Sequence, residues 1–144
     1  MNWQDLSATS PYQTALEIED ELAKGNIAEA SAGLKELIEI LGRSEKRALK
    51  SQLIRLMAHI IKWKTQPQKR SRSWVASIYN AREEIADIQE ETPSLTNEVI
   101  EELWEKCFQA AKRDAEAEMN QDTMMAGLLW EDVFEAEYKN ESSE

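Results

Sequence analysis

His59 is the only histidine in this 144-residue chain. It opens the stretch HIIKWKTQPQKRSRSW, His59 to Trp74, which holds five lysines and arginines and no acid in a chain of formal net charge −11. An imidazole among hydroxyls and cations suggests two chemistries, proton transfer and anion recognition. A general base needs a partner within hydrogen-bond distance and a substrate pocket. One helical turn from His59 lie Arg55 and Trp63, neither of them a base, and Ser71 and Ser73 approach only through a turn. His59 is therefore expected to be structural, donating to a carbonyl or a carboxylate near the turn. Cys107, the only cysteine, sits in the apolar pattern LWEKCFQAA and is expected to be a buried core thiol. One histidine cannot supply the two Glu-x-x-His pairs of a di-iron bundle. A Gly-rich phosphate loop and a Gly-x-Ser-x-Gly elbow are both missing from the sequence. The expectation is no catalytic residue, no metal and no cofactor.

Anion recognition has more support. From Arg43 to Arg72 there are ten basic residues and one acid, Glu45, a net of +9, while the remainder nets −20. Arg55, His59 and Trp63 form an i, i+4, i+8 row with Lys62 beside it. The row leads into Arg70, Ser71, Ser73 and Trp74. Together these eight residues make a candidate anion- or partner-binding corner, where one helix ends and the next begins. The competing reading is structural: acids such as Glu36, Glu39, Glu98, Glu101, Glu102 and Glu105 answer the charge within the molecule. The structural reading is preferred, because a chain of net charge −11 repels a polyanion at long range. On it, Arg70 holds the turn by bonding helix-end carbonyls or a carboxylate, and Ser71 or Ser73 caps the following helix. Trp74 is expected to be largely buried on the Ile78, Ala81, Ile85 face. Trp63 and Trp104 are expected in core or rim packing, and Trp3 and Trp130 are the candidates for an interface.

The elements that position this corner are helical. Ser10, Pro11 and Gln13 read as a cap, a first helical position and a capping-box partner. That helix runs to about Lys24 and stops at Gly25. Asn26, with Glu29 as its capping-box partner, opens a second helix along Ile27, Ala30, Leu34, Leu37, Ile38 and Leu41, ended by Gly42. Ser44 opens a third, to about Thr65, on Leu49, Leu53, Leu56 and Ile60. Pro67 stops it and pushes Gln66 toward an extended conformation. A fourth helix carries Trp74, Ile78, Ala81, Ile85 and Ile88. A fifth runs from about Thr96 to Met119 on Val99, Leu103, Cys107 and Ala110. A last amphipathic piece, Met124 to Tyr138, precedes the tail KNESSE, which is expected to fray.

Ala, Glu, Lys, Leu and Arg make up nearly half of the chain, a composition of long helices. Short connections favour antiparallel neighbours. The expected fold is all-α: an up-and-down helical bundle of four main helices with short N- and C-terminal helices. It is read as one domain over 1–144, with an N-terminal helical segment at 1–25, a core bundle at 26–119, and a C-terminal helix and tail at 120–144. The N-terminus lacks the features of a secretory signal, and no apolar run approaches membrane-spanning length, so the expected location is the cytoplasm.

The segment LGRSEKRALKSQLIRLMAHIIKWKTQPQKRSRSW resembles the central motif of a bacterial family known as domain of unknown function 29. The matching residues are Gly42 to Leu49, then His59, Lys62 and Trp63, then Gln66, Pro67, Arg70, Ser71, Ser73 and Trp74. The likeness continues more weakly to about Asp114 and covers roughly residues 26 to 114. The ends depart from the family pattern. The resemblance implies a helical bundle and supplies no reaction. The expected function is a cytoplasmic helical interaction or regulatory module without catalytic activity, with no membrane contact. Its partner is expected to be a protein or a second copy, ahead of a small anion. The alternative is a nucleic-acid-associated protein that binds or processes RNA through the basic corner.

Overall fold

The computed structural model describes residues 1–140, and these form helices and connections without a strand. The expected all-α fold is observed. Five α-helices follow in order: α1 (Trp3–Thr9), α2 (Pro11–Ala23), α3 (Ile27–Thr65), α4 (Arg72–Glu91) and α5 (Asn97–Met119). Residues 141–144 of the expected fraying tail lie outside the described residues. The chain divides into two compact units, Met1–Arg47 and one that begins at Ala48, with the boundary inside α3.

Local capping sets most helix ends. Ser10 serves twice: its N–H donates to the Leu6 carbonyl at 2.8 Å to close α1, and its Oγ accepts from the Gln13 N–H at 3.0 Å to open α2. The return half of the capping box does not form, because the Gln13 side chain donates to Glu17 instead. Gly25, at φ +80°, turns α2 into α3 in the left-handed region that glycine adopts without strain. Glu29 is not a capping-box partner either; it accepts from Trp3 Nε1 at 2.9 Å. α1 was not foreseen, although Asn2 caps it through the Asp5 N–H at 3.1 Å, a signal legible in the sequence.

Two expected features differ. No break occurs at Gly42, and α3 runs unbroken for 39 residues. A glycine inside a helix costs about 1 kcal/mol against alanine. It stops a helix only where the chain takes a left-handed step, and Gly25 is the only glycine that does so. The C-terminal piece is not an amphipathic helix over Met124–Tyr138. It is an irregular strap containing one π-type turn, Glu131–Glu135, closed by the Ala136 N–H on the Glu131 carbonyl at 2.7 Å.

In the first unit, α1 and α2 pack on the N-terminal half of α3 around Trp3, Ile18 and Ala30, with Leu6 and Leu37 at the edge. Gly33 is the contact point. A methyl group there would lie 2.7 Å from the Trp3 ring and 2.9 Å from Ile18. The indole approaches α3 this closely only because no Cβ intervenes. Trp3, expected at an interface, is 6% exposed and belongs to this core.

In the second unit, Leu49, Leu53, Leu56 and Ile60 of α3 pack with Ile78, Ala81 and Ile85 of α4 and Ile100, Phe108 and Ala111 of α5. The C-terminal ends of α3 and α5 meet through Lys62–Glu118 and Gln66–Gln121. These two helices are therefore parallel, and α4 runs between them in the opposite sense. Asn120, at φ 52°, ends α5 and starts the strap. The strap adds Leu128, Val133 and Tyr138 to the same core. Cys107 is 1% exposed, as the apolar pattern around it indicated.

Candidate functional site

The corner expected from the sequence assembles at the end of α3, and most of its cations are engaged within the protein. Arg70 Nε donates to the Trp63 carbonyl at 3.0 Å, and its guanidinium stacks 4.5 Å from the centroid of the Trp63 ring. One side chain thus satisfies an orphan helix-end carbonyl and covers the buried indole beneath it. Lys62, nearly buried, pairs with Glu118 and sits 5.5 Å from the centroid of Trp74. Lys64 pairs with Asp132 at 3.1 Å. Burial raises the pKa of Asp132, but the Leu129 N–H and Lys64 outweigh it and hold the carboxyl below its ordinary value. Among the described residues, the acids seen paired with the corner's lysines are Glu118 and Asp132, not the residues of α3 and early α5 expected from the sequence.

Ser71 caps α4, accepting from the Trp74 N–H at 3.2 Å; Ser73 lies within the first turn and is exposed. Trp74 is partly buried and packs against the core of the second unit, on the side where it was expected. It lies at the rim of the core, where the ammonium of Lys62 approaches its ring. Trp63 is buried edge-on against Tyr138, with ring centroids 5.7 Å apart at 84°.

His59 and Arg55 lie on a different part of α3, beside α5. They line a cleft of about 330 Å³ with Ser51, Asp114 and Glu118. His59 Nδ1 is 2.9 Å from the Arg55 carbonyl. A carbonyl only accepts, so the proton is on Nδ1 and Nε2 is left as an acceptor. Burial lowers the pKa of His59, and the charges of Lys62 and Arg55 add to the effect. The imidazole is therefore held neutral. The arrangement provides a hydrogen-bond acceptor beside two carboxylates. It brings no hydroxyl nucleophile up to the ring, since Ser51 is two turns away. No cluster of three or more metal-ligating side chains occurs among the described residues.

The residues that hold the strap on α4 were not singled out from the sequence. Arg82 donates from Nε to the Val133 carbonyl at 2.7 Å and from a terminal nitrogen to the Ala136 carbonyl at 2.8 Å. Its guanidinium also lies 5.3 Å and 5.4 Å from the rings of Tyr79 and Tyr138. Tyr79 Oη accepts from the Tyr138 N–H at 3.0 Å, and Tyr138 Oη donates to the Asp132 carbonyl at 2.6 Å. Trp130, expected at an interface, stacks on Trp104 with ring centroids 5.5 Å apart and meets Phe134 at a tilt, with centroids 4.5 Å apart. Apart from the Arg82–Tyr79 contact within α4, every partner in this set is 24 or more residues away or lies within the strap.

The first unit is different in kind. Ile27, Leu34, Ile38 and Leu41 of α3 are 60%, 47%, 63% and 46% exposed. At 100° per residue they fall within an arc of about 60°, on a stripe about 21 Å long. Ala30 and Gly33, on the neighbouring face, are buried. Beyond Leu41, Arg43 and Arg47 are exposed and have no ion-pair partner among the described residues.

No helix among the described residues is long and apolar enough to cross a membrane. Comparison with curated proteins and with solved structures returned no match. The sequence profile of one family matches residues 14–137, a span wider at both ends than the central motif alone. It takes in α2 from Thr14 onward, all of α3, α4 and α5, and the strap through its π-type turn. With so much of its length matched, the chain belongs to the family described as Domain of unknown function DUF29.

Proposed function

We propose that the chain is a cytoplasmic helical interaction module that docks a protein helix on its first unit. The observation that carries this reading is the exposed stripe of Ile27, Leu34, Ile38 and Leu41. Residues 27, 34 and 41 repeat at seven, the spacing at which one helix presents a seam to another. A soluble protein rarely exposes a contiguous row of aliphatic side chains, and such rows mark interaction sites. The corner in the second unit serves in this reading as a brace. Arg70, Lys62 and Lys64 already have partners there.

A second reading, nucleic-acid binding, draws on Arg43, Lys46, Arg47 and Arg55, which are exposed and without ion-pair partners among the described residues. One experiment separates the two. The full chain and its Leu34→Glu/Ile38→Glu variant are used to capture partners from the native cell, with and without nuclease. The interaction reading expects a partner that survives nuclease and is lost with the double variant. A partner lost to nuclease and retained by the variant overturns it. In that case affinity for single-stranded and duplex oligonucleotides should fall steeply as salt rises.

A further inference from the structure

The first unit also holds a cleft of about 250 Å³, where the end of α1 and the start of α2 face α3. Ala8 and Pro11 line one wall, and Ile40, Arg43, Ser44 and Arg47 line the other. No acid lines it. Arg43 and Arg47 are four residues apart, so both side chains rise on one side of α3. Neither guanidinium has a hydrogen-bond or ion-pair partner among the described residues, and neither has the Ser44 hydroxyl. Glu39 stands one turn before Arg43 and is not paired with it. The chain has 28 acids against 17 lysines and arginines, so two unanswered arginines in one concave place are set apart from the acids by the fold. All three polar residues come from Gly42–Leu49, a motif that neither the exposed row nor the corner at the end of α3 uses.

We propose that this cleft binds a small phosphomonoester. Two guanidinium forks and a hydroxyl offer donors to more than two oxygens at once. A carboxylate has two oxygens, and one arginine already satisfies them in a bidentate pair. A phosphate group has three free oxygens and up to two negative charges, and it answers the whole set. At about 30 Å³ for each water-sized group, the cleft takes about eight non-hydrogen atoms, a phosphate and a short carbon group. Ala8, Pro11 and Ile40 give that carbon group an apolar wall. The site goes beyond the docking reading above and does not depend on it.

The test titrates inorganic phosphate, n-propyl phosphate and acetate into the full chain and follows the backbone amide resonances. Both phosphates should give saturable shifts centred on residues 7–11 and 40–47. n-Propyl phosphate should bind at least about fourfold more tightly than inorganic phosphate, the effect of burying one methylene. Arg43→Gln and Arg47→Gln should each weaken binding at least about tenfold, the worth of a hydrogen bond to a charged group. Both side chains are exposed and without partners among the described residues, so melting should be unchanged. Lys46→Gln removes the same charge from the same helix outside the cleft, and binding should stay within about twofold. No saturation up to about 10 mM of either phosphate overturns the site. So does a loss with Lys46→Gln equal to that with Arg43→Gln, the mark of a diffuse basic surface such as a nucleic acid would use. Acetate binding as tightly as phosphate overturns the choice of ligand. Leu34 and Ile38 lie outside the cleft, so the Leu34→Glu/Ile38→Glu variant should bind n-propyl phosphate like the parent even if it captures no partner. The site and the docking reading can thus each fail alone.

Discussion

The first unit buries Trp3, Ile18 and Ala30 and leaves Ile27, Leu34, Ile38 and Leu41 of the same helical face region in solvent. In the second unit the continuation of that helix loses all access to solvent at Leu49, Leu53, Leu56 and Ile60. The residue types and spacings are nearly the same in the two stretches. The difference is supply. Two helices, α4 and α5, and a strap close around the second stretch, while two short helices cover one side of the first. Polar groups follow the same division. The second unit ties its strap down with Arg82, Tyr79, Tyr138 and Asp132. The long-range side-chain bond of the first is Trp3 to Glu29. A core so small gains from any surface that covers its exposed stripe.

This contrast can be broken from the well-packed side. Phe108 is 1% exposed at the centre of the second unit. Phe108→Ala should cost about 3–5 kcal/mol in urea melts, the range for deleting a buried aromatic side chain. A loss below about 1 kcal/mol would mean that the second core is as loose as the first.

The strap gives the next effect, through pH. Burial and the nearby Asp132 charge push the Tyr138 hydroxyl up to about 12, against an ordinary value of 10. Between those values the unfolded chain has lost the phenolic proton and the folded chain keeps it. Stability should therefore fall as pH rises from 10 to 12, by about 2–3 kcal/mol once both limits are passed. Tyr138→Phe should remove that slope while lowering stability at neutral pH, because the bond to the Asp132 carbonyl is gone. An unchanged alkaline slope in Tyr138→Phe would assign it to another group.

Gly33→Ala sharpens the contrast from the other side. The added methyl meets the Trp3 ring at 2.7 Å. Forcing the ring away should cost about 1–3 kcal/mol. Hydrogen exchange should show the loss in residues 1–47, with protection of α4 and α5 unchanged. Exchange rising equally in both regions would deny that the units are separately stabilised.

The smallest effect is at the corner. Arg70→Lys removes the planar group that both bonds the Trp63 carbonyl and covers its ring. A loss of about 1 kcal/mol is expected. Partner binding should fall only with the folded fraction. Unchanged melting with lost binding would turn the corner from a brace into a ligand site.

How far the sequence could be read follows the range of the forces involved. Ser10, Gly25, Ser71 and Thr96 act on N–H groups two or three residues away or on their own φ, and each stands where its residue type places it. The Cys107 thiol is buried because the 23 residues of α5 carry one apolar face. Arg70 also acts locally, on a carbonyl seven residues back, so its part in the turn could be anticipated. Gly42 was misread because a glycine permits a stop without requiring one, and the helix-forming run after it continues the hydrogen-bond ladder. Arg82 could not be read at all: its acceptors are carbonyls some 50 residues downstream, in a strap whose shape depends on the groove that receives it. The same holds for the two stripes of α3. Periodicity places aliphatic side chains on one face of a helix, a property of the backbone repeat. Whether that face meets a core or water depends on which other elements reach it, and that is settled by packing among segments far apart in the chain.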